Sequence, residues 1–337
     1  MKKLFVIVIL FLGIAVVAIS FSELETIMLT LQKAHLGFFI LAIFIQLLWF
    51  ITTGRMYQSI YRLLGMDESI LTLSQMATAA NFINVVAPTA GVGGIALFAS
   101  EARRRGHPTG KVTVAAALFL SLDHAAFLFI LSLGLMVLVR RNDLDASEIS
   151  ATLFLLGIAI SYASILYLGY RSEEKLGGLL GKIARTINRI INFFRNGEYL
   201  SESRAYEFAH EVSEGFSGLT EKPSSLVRPI LWGILDKVLL MCILVCSFLS
   251  FEVPFSAGTI IAGFSIAYLF LIVAPTPSGI GIVEGLMPIA LTSLNVDWSQ
   301  AVVITLTYRT VTFWVPFGIG AWAFRSLHRR EEEPSVV

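Results

Sequence analysis

Apolar runs about as long as a bilayer is thick recur along the whole sequence of 337 residues. A helix of about 20 residues crosses the hydrocarbon layer of a membrane. Backbone in lipid finds no water to bond, so such a run has to form a helix, which pairs its own N–H and C=O groups. The composition agrees, because only 15% of the residues are charged, against about 25% in soluble domains. The sequence therefore predicts an all-α, polytopic transmembrane helix bundle.

The positions of these runs predict six full crossings. They cover residues 4–20, 36–54, 112–139, 150–170, 229–250 and 300–324. The first follows Lys2 and Lys3, and a signal peptide is its alternative, because Ala18-Ile19-Ser20 resembles a cleavage site. A crossing is favoured, since everything downstream is also membrane-embedded.

Two further apolar segments, 71–99 and 257–294, are interrupted by the same four residues, Val-Ala-Pro-Thr, beginning at Val86 and at Val273. Each interruption runs straight into glycines. Proline removes a backbone donor and clashes with the preceding turn, and glycine weakens a helix. Paired breaks in two halves of a membrane chain are typical of a substrate site near the midplane. We predict two re-entrant helical hairpins of inverted orientation, with close helix packing as the alternative explanation of the glycines.

The breaks also predict the chemistry of the site. Backbone N–H groups at the start of a half-helix carry partial positive charge and favour anions. A phosphate is the natural anion at this depth, because a lipid brings its own hydrocarbon along. The residues expected to bind substrate at the breaks are Pro88, Thr89, Gly93, Gly94, Pro275, Thr276, Pro277, Gly279 and Gly281.

Ionisable side chains within apolar runs are costly and are therefore functional candidates. Arg309 has a planar set of donors suited to phosphate oxygens, and either Asp123 or Glu284 is its expected partner in the empty site. Glu284 is also expected to contact the cationic part of a headgroup or a coupling proton. The predicted carriers of a proton or ion are Asp123, His124 and Asp236. The alternative is mutual pairing that only holds the bundle together, and it is favoured for Asp236 and its neighbour Lys237.

Positive charge sets the predicted orientation. Of the 25 Lys and Arg residues, 20 lie in the terminal segments, around 55–62 and 103–111, or in the polar loop 171–228. Because cytoplasmic segments carry the excess of Lys and Arg, both termini and this loop are predicted to face the cytoplasm, with the protein in the plasma membrane. Apolar residues in the loop recur at helical spacing, which predicts a basic amphipathic helix lying on anionic lipid or packed on the bundle.

No cofactor, metal site or catalytic residue is expected. The sequence contains neither a P-loop nor a dinucleotide fingerprint, which argues against direct use of ATP. Cys242 and Cys246 lie one helical turn apart in a crossing and are expected to be small core residues rather than a disulfide or metal pair. Nothing indicates a nucleic-acid partner.

Several motifs together resemble the lysylphosphatidylglycerol synthase transmembrane region family, a flippase-like membrane domain. They are the stretch Asn81 to Gly106, Ser121-Leu122-Asp123, Pro275-x-Pro277-x-Gly279-x-Gly281-x-Val283-Glu284, Tyr308-Arg309 and Trp314-x-Pro316. The resemblance implies translocation of charged lipids, and some family members carry a synthase or glycosyltransferase unit. One departure is that Ile95 and Ala96 follow the first glycine pair, where the family usually has an acidic residue. No symmetric acidic role is expected for the first hairpin, since Glu101 lies too far along.

The predicted function is flippase-like or scramblase-like movement of a charged phospholipid or a polyprenyl-phosphate-linked lipid. Residues 1–325 would form the flippase-like transmembrane domain, with 171–228 as a cytoplasmic insertion and 326–337 as a disordered acidic tail. The expected partners are membrane lipids and a separate lipid synthase or glycosyltransferase. Two alternatives stay open: a membrane-embedded lipid-modifying transferase with Glu284 or Asp236 as base, and an accessory subunit that positions a separate synthase.

Overall fold

The computed structural model describes residues 35–86, 92–141, 223–274 and 276–332, together with single helical positions between 149 and 185. All of the regular structure in these ranges is helical, as the sequence predicted. The helices are α1 (Leu36–Leu63), α2 (Ile70–Val86), α3 (Val92–Arg104), α4 (Thr109–Arg141), α5 (Val227–Ser250), α6 (Ala257–Val273), α7 (Ile282–Ser293), α8 (Trp298–Arg309) and α9 (Val315–Glu332).

Four stretches are long and apolar enough to cross a membrane, and they match four of the predicted crossings. They are Leu36–Leu63, Thr109–Arg140, Val227–Ser250 and Trp298–Leu327, with lengths of 28, 32, 24 and 30 residues. A crossing needs about 20 residues, so these helices are long enough to extend beyond the hydrocarbon layer. The predicted crossing 4–20 lies outside the described residues. Of 150–170 only single positions are described, and these are helical.

The two segments with the Val-Ala-Pro-Thr breaks each form a pair of short helices, α2 with α3 and α6 with α7. The apolar helices α2, α6 and α7 span 17, 17 and 12 residues. Each is shorter than the 20 or so residues of a full crossing. This length is what a re-entrant hairpin needs, and the re-entrant path itself stays a prediction.

The chain divides into two compact units. The first unit comprises Met1–Leu48, Ile130–Ala151 and Val238–Pro316, and the second comprises Trp49–Phe129, Thr152–Lys237 and Phe317–Val337.

Small residues let the helices of the first unit approach closely. Gly134 of α4 faces Ser265 of α6, where an added Cβ would lie 2.6 Å from the Ser265 Cβ. Gly263 on α6 is packed just as tightly by Leu291 of α7. Between these contacts lie buried apolar side chains from α4, α6 and the end of α7, among them Leu138, Ala262, Ile266, Ala290 and Leu294. Close approach at small residues is the usual packing of helices in lipid.

Aromatic side chains form much of the core of the second unit. Tyr57 of α1 stacks between Phe98 of α3 and Phe119 of α4, with centroid distances of 4.5 and 4.0 Å. Phe82 of α2 contacts Phe317 and Phe324 of α9. The tyrosine stack joins α3 to the long helices α1 and α4.

Helix α9 continues to Glu332, so residues 326–332 of the predicted acidic tail are helical. The physical reason is that Leu327 is only 1% exposed and belongs to the core of the second unit. Residues 333–337 lie outside the described residues.

Candidate functional site

The second break is a short, irregular connection between α6 and α7. Helix α6 ends at Val273, and the turn Pro277–Gly279 follows before α7 begins at Ile282. Ser278, Gly279 and Gly281 have positive φ angles of 50°, 69° and 80°. This left-handed conformation is cheap for glycine and unfavourable for serine, so strain is concentrated at the residue between Pro277 and Gly279.

Glu284 and Arg309 contact each other and the backbone of this break. Oε2 of Glu284 accepts a hydrogen bond of 2.7 Å from the backbone N–H of Gly281, at the positive end of α7. Its other oxygen, Oε1, accepts from Nε of Arg309, and Nη2 of Arg309 donates to the carbonyl oxygen of Ser278 at 3.0 Å. The predicted cation, carboxylate and glycine break therefore contact one another, and Glu284 rather than Asp123 is the partner of Arg309.

The helix changes its winding directly after Arg309. Thr310–Trp314 form a π-helical turn, and Pro316 follows within α9. A proline ring clashes with the carbonyl four residues earlier, which here belongs to Thr312 within that turn, so a regular α-helix is not accommodated. The guanidinium carbon of Arg309 lies 4.9 Å from the ring centroid of Phe313, and the residue is 2% exposed. Arg309 is held by a carboxylate, a carbonyl and an aromatic face.

Two further polar groups lie at this break. The buried hydroxyl oxygen of Thr276 has no hydrogen-bond partner among the described residues. Within α7, Pro288 has no N–H to donate to the carbonyl of Glu284. Buried polar atoms are normally satisfied, so an unpaired hydroxyl at a predicted substrate position is compatible with a ligand there. Pro275 lies outside the described residues.

The first break differs from the second. Pro88 and Thr89 lie outside the described residues. The backbone N–H of Gly94 donates to Oδ1 of Asn84 at 3.0 Å, and a Cβ at Gly94 would lie 3.2 Å from the Cβ of Ala80. Gly94 therefore lets α3 pack against α2, and an amide side chain takes the place that a carboxylate has at Gly281. Gly93, also predicted to bind substrate, lies beside it in the first turn of α3.

A buried charged cluster in the second unit contains Asp123, Asp236 and Lys237. Nζ of Lys237 lies 2.5 Å from Oδ1 of Asp123 and 3.3 Å from Oδ2 of Asp236. Thr53 donates to Oδ1 of Asp236 at 2.9 Å. Lys237 is 1% exposed and Asp236 3%. The pairing expected between Asp236 and Lys237 is present, and Asp123 is a second partner.

The charges in this cluster do not balance when all three groups are ionised, since two carboxylates face one ammonium. A net charge is expensive to bury, and one added proton or cation would neutralise the cluster. His124 is also largely buried, and its Nδ1 lies 2.6 Å from the carbonyl oxygen of Leu120. The Arg309–Glu284 pair, in contrast, is already neutral.

A third group of charges surrounds Glu68, between α1 and α2. Burial raises the pKa of its carboxyl, but the N–H of Ser69, Arg105 and His107 outweigh burial and hold the pKa below its ordinary value. Glu101, buried in α3, pairs with Arg105 and with Arg104. At the first break the N–H of Gly94 donates to Asn84, so Glu101 does not take the position that Glu284 has at Gly281.

Sequence reasoning missed several partners in these clusters. Asn84, Thr53 and Phe313 are ordinary residues in apolar helices, and no local pattern distinguishes them. A local pattern does exist for three other polar residues of α1. Arg55, Ser59 and Arg62 are spaced by four and then three residues, which places them on one face of the helix.

Among the described residues, no group of three or more His, Cys, Asp or Glu side chains could hold a metal ion. Comparison with known proteins matches residues 5–320 to the lysylphosphatidylglycerol synthase TM region. A UPF0104 membrane protein of Methanothermobacter thermautotrophicus is 25% identical over 300 residues, which cover 87% of this chain and 83% of the relative. The matched range contains both breaks, the charged cluster and Arg309.

Proposed function

The chain belongs to the lysylphosphatidylglycerol synthase transmembrane region family, and from this premise we propose that it moves a lipid with a phosphate-bearing headgroup across the membrane. It is a multi-span membrane protein. The observation that carries the proposal is the buried Arg309–Glu284 pair in contact with the Ser278–Gly281 turn. A buried guanidinium at such a break suits a phosphate-bearing headgroup that crosses the membrane while its acyl chains stay in lipid.

Arg309 is proposed to bind the phosphate. A guanidinium has five N–H donors, and the described contacts with Glu284 and Ser278 use its Nε and Nη2 nitrogens. Nη1 is thus available for phosphate oxygens, alongside the Thr276 hydroxyl. A bound phosphate shares the positive charge of Arg309, so the charge of Glu284 is no longer fully compensated. Glu284 can then contact the cationic part of the headgroup or take up a proton.

Energy coupling is proposed to involve the cluster of Asp123, Asp236 and Lys237. The sequence has no motif for ATP hydrolysis, so net movement has to follow a lipid or ion gradient. The unbalanced carboxylate makes this cluster a proton-binding site, with the neighbouring His124 as a further carrier.

Gly281 offers a specific test of the break. Replacing Gly281 with alanine meets open space but imposes a side chain on a residue with φ of 80°, which costs roughly 1–2 kcal/mol. We expect the variant to fold while lipid movement falls by about tenfold, because relaxing this strain moves the N–H that positions Glu284. The measurement is loss of NBD fluorescence on adding dithionite to proteoliposomes with labelled phosphatidylglycerol, with phosphatidylcholine in parallel.

The matched control is Gly285→Ala, one turn further along α7, where an added Cβ also meets nothing within 4 Å and φ is helical. It should retain parental activity. Equal activity of both variants would contradict a role for the break, and a parent protein that moves neither lipid would contradict the proposed function.

Both termini and the 171–228 loop are proposed to face the cytoplasm of a plasma membrane. With Cys242 and Cys246 replaced by alanine, Leu200→Cys should resist an impermeant maleimide in sealed cells and react after lysis. Arg140→Cys is the control for the outside, since Arg140 is exposed and predicted to be external. Strong labelling at position 200 before lysis would contradict this topology.

A further inference from the structure

A cavity of about 720 Å³ lies in the second unit, and its lining includes none of the ionisable residues of the three charged groups described above. One side is the end of α1, with Arg55, Ser59 and Arg62, and the other is the start of α5, with Arg228 and Trp232.

The cavity is strongly basic. Its described lining contains three arginines and no Asp or Glu. Arg62 is paired at 3.3 Å with Asp67 on the exposed surface, and Arg55 has a 3.5 Å contact with the neutral side chain of Gln58. No hydrogen bond or ion pair links Arg228 to another described residue. Two of the three guanidinium groups, those of Arg55 and Arg228, thus have no carboxylate partner among the described residues, which favours an anion, and their planar donor sets match phosphate oxygens.

An apolar stripe begins at the same place. Val227, at the mouth of the cavity, is followed at four-residue spacing by Leu231 and Leu235 on one face of α5. These three side chains are 52%, 59% and 39% exposed. Residues four apart lie above one another on a helix, so the stripe runs from the cavity along a helix long enough to cross a membrane. Trp232, one residue on, suits the boundary between headgroups and hydrocarbon.

We propose that this cavity binds the phosphate of an anionic phospholipid, with an acyl chain lying along Val227, Leu231 and Leu235. The positive charge of the arginines favours an anionic headgroup, and the adjoining apolar stripe favours a lipid over a free anion. The topology predicted from the positive bias of the sequence has Arg55, Arg62 and Arg228 on the cytoplasmic side, so the lipid is expected to come from the cytoplasmic leaflet. The inference goes beyond the proposed function, since binding here requires no movement of lipid across the membrane.

The test uses the purified full chain in uncharged detergent and a short-chain phosphatidylglycerol with a diazirine in its acyl chain. After illumination, peptide mapping should find the label on Val227 to Leu235. At subsaturating lipid, Arg55→Gln/Arg228→Gln should lower this label by about tenfold or more, the effect of losing one or two charge-assisted contacts. The matched control is Arg140→Gln/Arg325→Gln, which removes the same charge from exposed arginines outside the cavity.

Equal loss of label in the control would overturn the inference, because general charge attraction would then explain binding. Unlabelled dioctanoyl phosphatidylglycerol should compete, whereas inorganic phosphate or dioctanoyl phosphatidylcholine at the same concentration should not. Competition by inorganic phosphate as strong as that by the lipid would show a plain anion site and overturn the lipid assignment. If the glutamine variant does not fold, Arg55→Lys/Arg228→Lys keeps the charge and should still lose label. A parent protein that is labelled as expected but moves no lipid would contradict the proposed function and leave this inference supported.

Discussion

Replacing Arg309 with lysine is expected to lower lipid movement by about tenfold to a hundredfold while the protein still folds. Lysine keeps a positive charge beside Glu284, but one ammonium does not reproduce the in-plane contacts to Glu284 and to the carbonyl of Ser278. Its fit on the ring of Phe313 is also poorer. The measurement is dithionite-sensitive lipid movement in proteoliposomes, normalised to the amount of reconstituted protein, together with retained lipid by native mass spectrometry.

The neutral double variant separates binding from folding. Arg309→Gln alone leaves the carboxylate of Glu284 uncompensated in a largely buried site, so this variant should accumulate poorly. Arg309→Gln/Glu284→Gln removes both charges and should restore accumulation without restoring movement. If the double variant moved lipid like the parent, Arg309 would be a structural ion-pair member and phosphate recognition at this site would be wrong.

The helices were readable from the sequence because lipid leaves backbone few alternatives. Within the described residues, predicted crossings such as 36–54 and 229–250 coincide with apolar helices. The helices extend beyond the predicted bounds, to Leu63 in the first case and from Val227 in the second. The ends were underestimated because helix α1 continues to Leu63 through polar residues that hydropathy assigns to a loop. Helix α9 likewise continues beyond residue 326, since burial of Leu327 in a tertiary contact holds it and local composition does not show this.

The residues at which the second break occurs could be predicted from the sequence. The side-chain contacts made there could be predicted only in part. The prolines and glycines fixed where α6 had to end. The pairing of Arg309 with Glu284 could be narrowed to two candidates by depth alone, and choosing between them required the fold. The contact between Asp123 and Lys237 could not be predicted from the sequence. The two residues are 114 positions apart, and Asp236, next to Lys237 in the chain, was the obvious partner of that lysine.

The arginine cavity shows a different limit. Arg55, Ser59 and Arg62 have a helical spacing that could have been noticed, but charges at the end of a crossing were fully explained by orientation in the membrane. Arg228 comes from another helix, and only tertiary packing brings it to the same cavity. The spacing in the sequence therefore indicates the side of the cavity formed by α1, and only the structure shows the side formed by α5.

Replacing Lys237 with methionine is expected to destabilise the protein by about 3–5 kcal/mol, because it leaves the buried carboxylate of Asp236 and the partly buried carboxylate of Asp123 without their cation. Lys237 contacts both Asp123 and Asp236 and is 1% exposed. The measurement is unfolding of the detergent-solubilised protein followed by tryptophan fluorescence, with Lys111→Met as the control that removes a half-buried lysine outside the cluster.

Adding Asp123→Asn to Lys237→Met should recover much of the lost stability. The remaining carboxylate of Asp236 keeps the hydrogen bond from Thr53, and the cluster returns to the net charge of the parent. Asp123→Asn alone leaves a balanced Asp236–Lys237 pair, so that variant should fold normally but lose any dependence of lipid movement on a proton gradient. If Lys237→Met unfolded no more easily than Lys111→Met, the ammonium would not be compensating these carboxylates, and the cluster would have to be neutral already through bound protons.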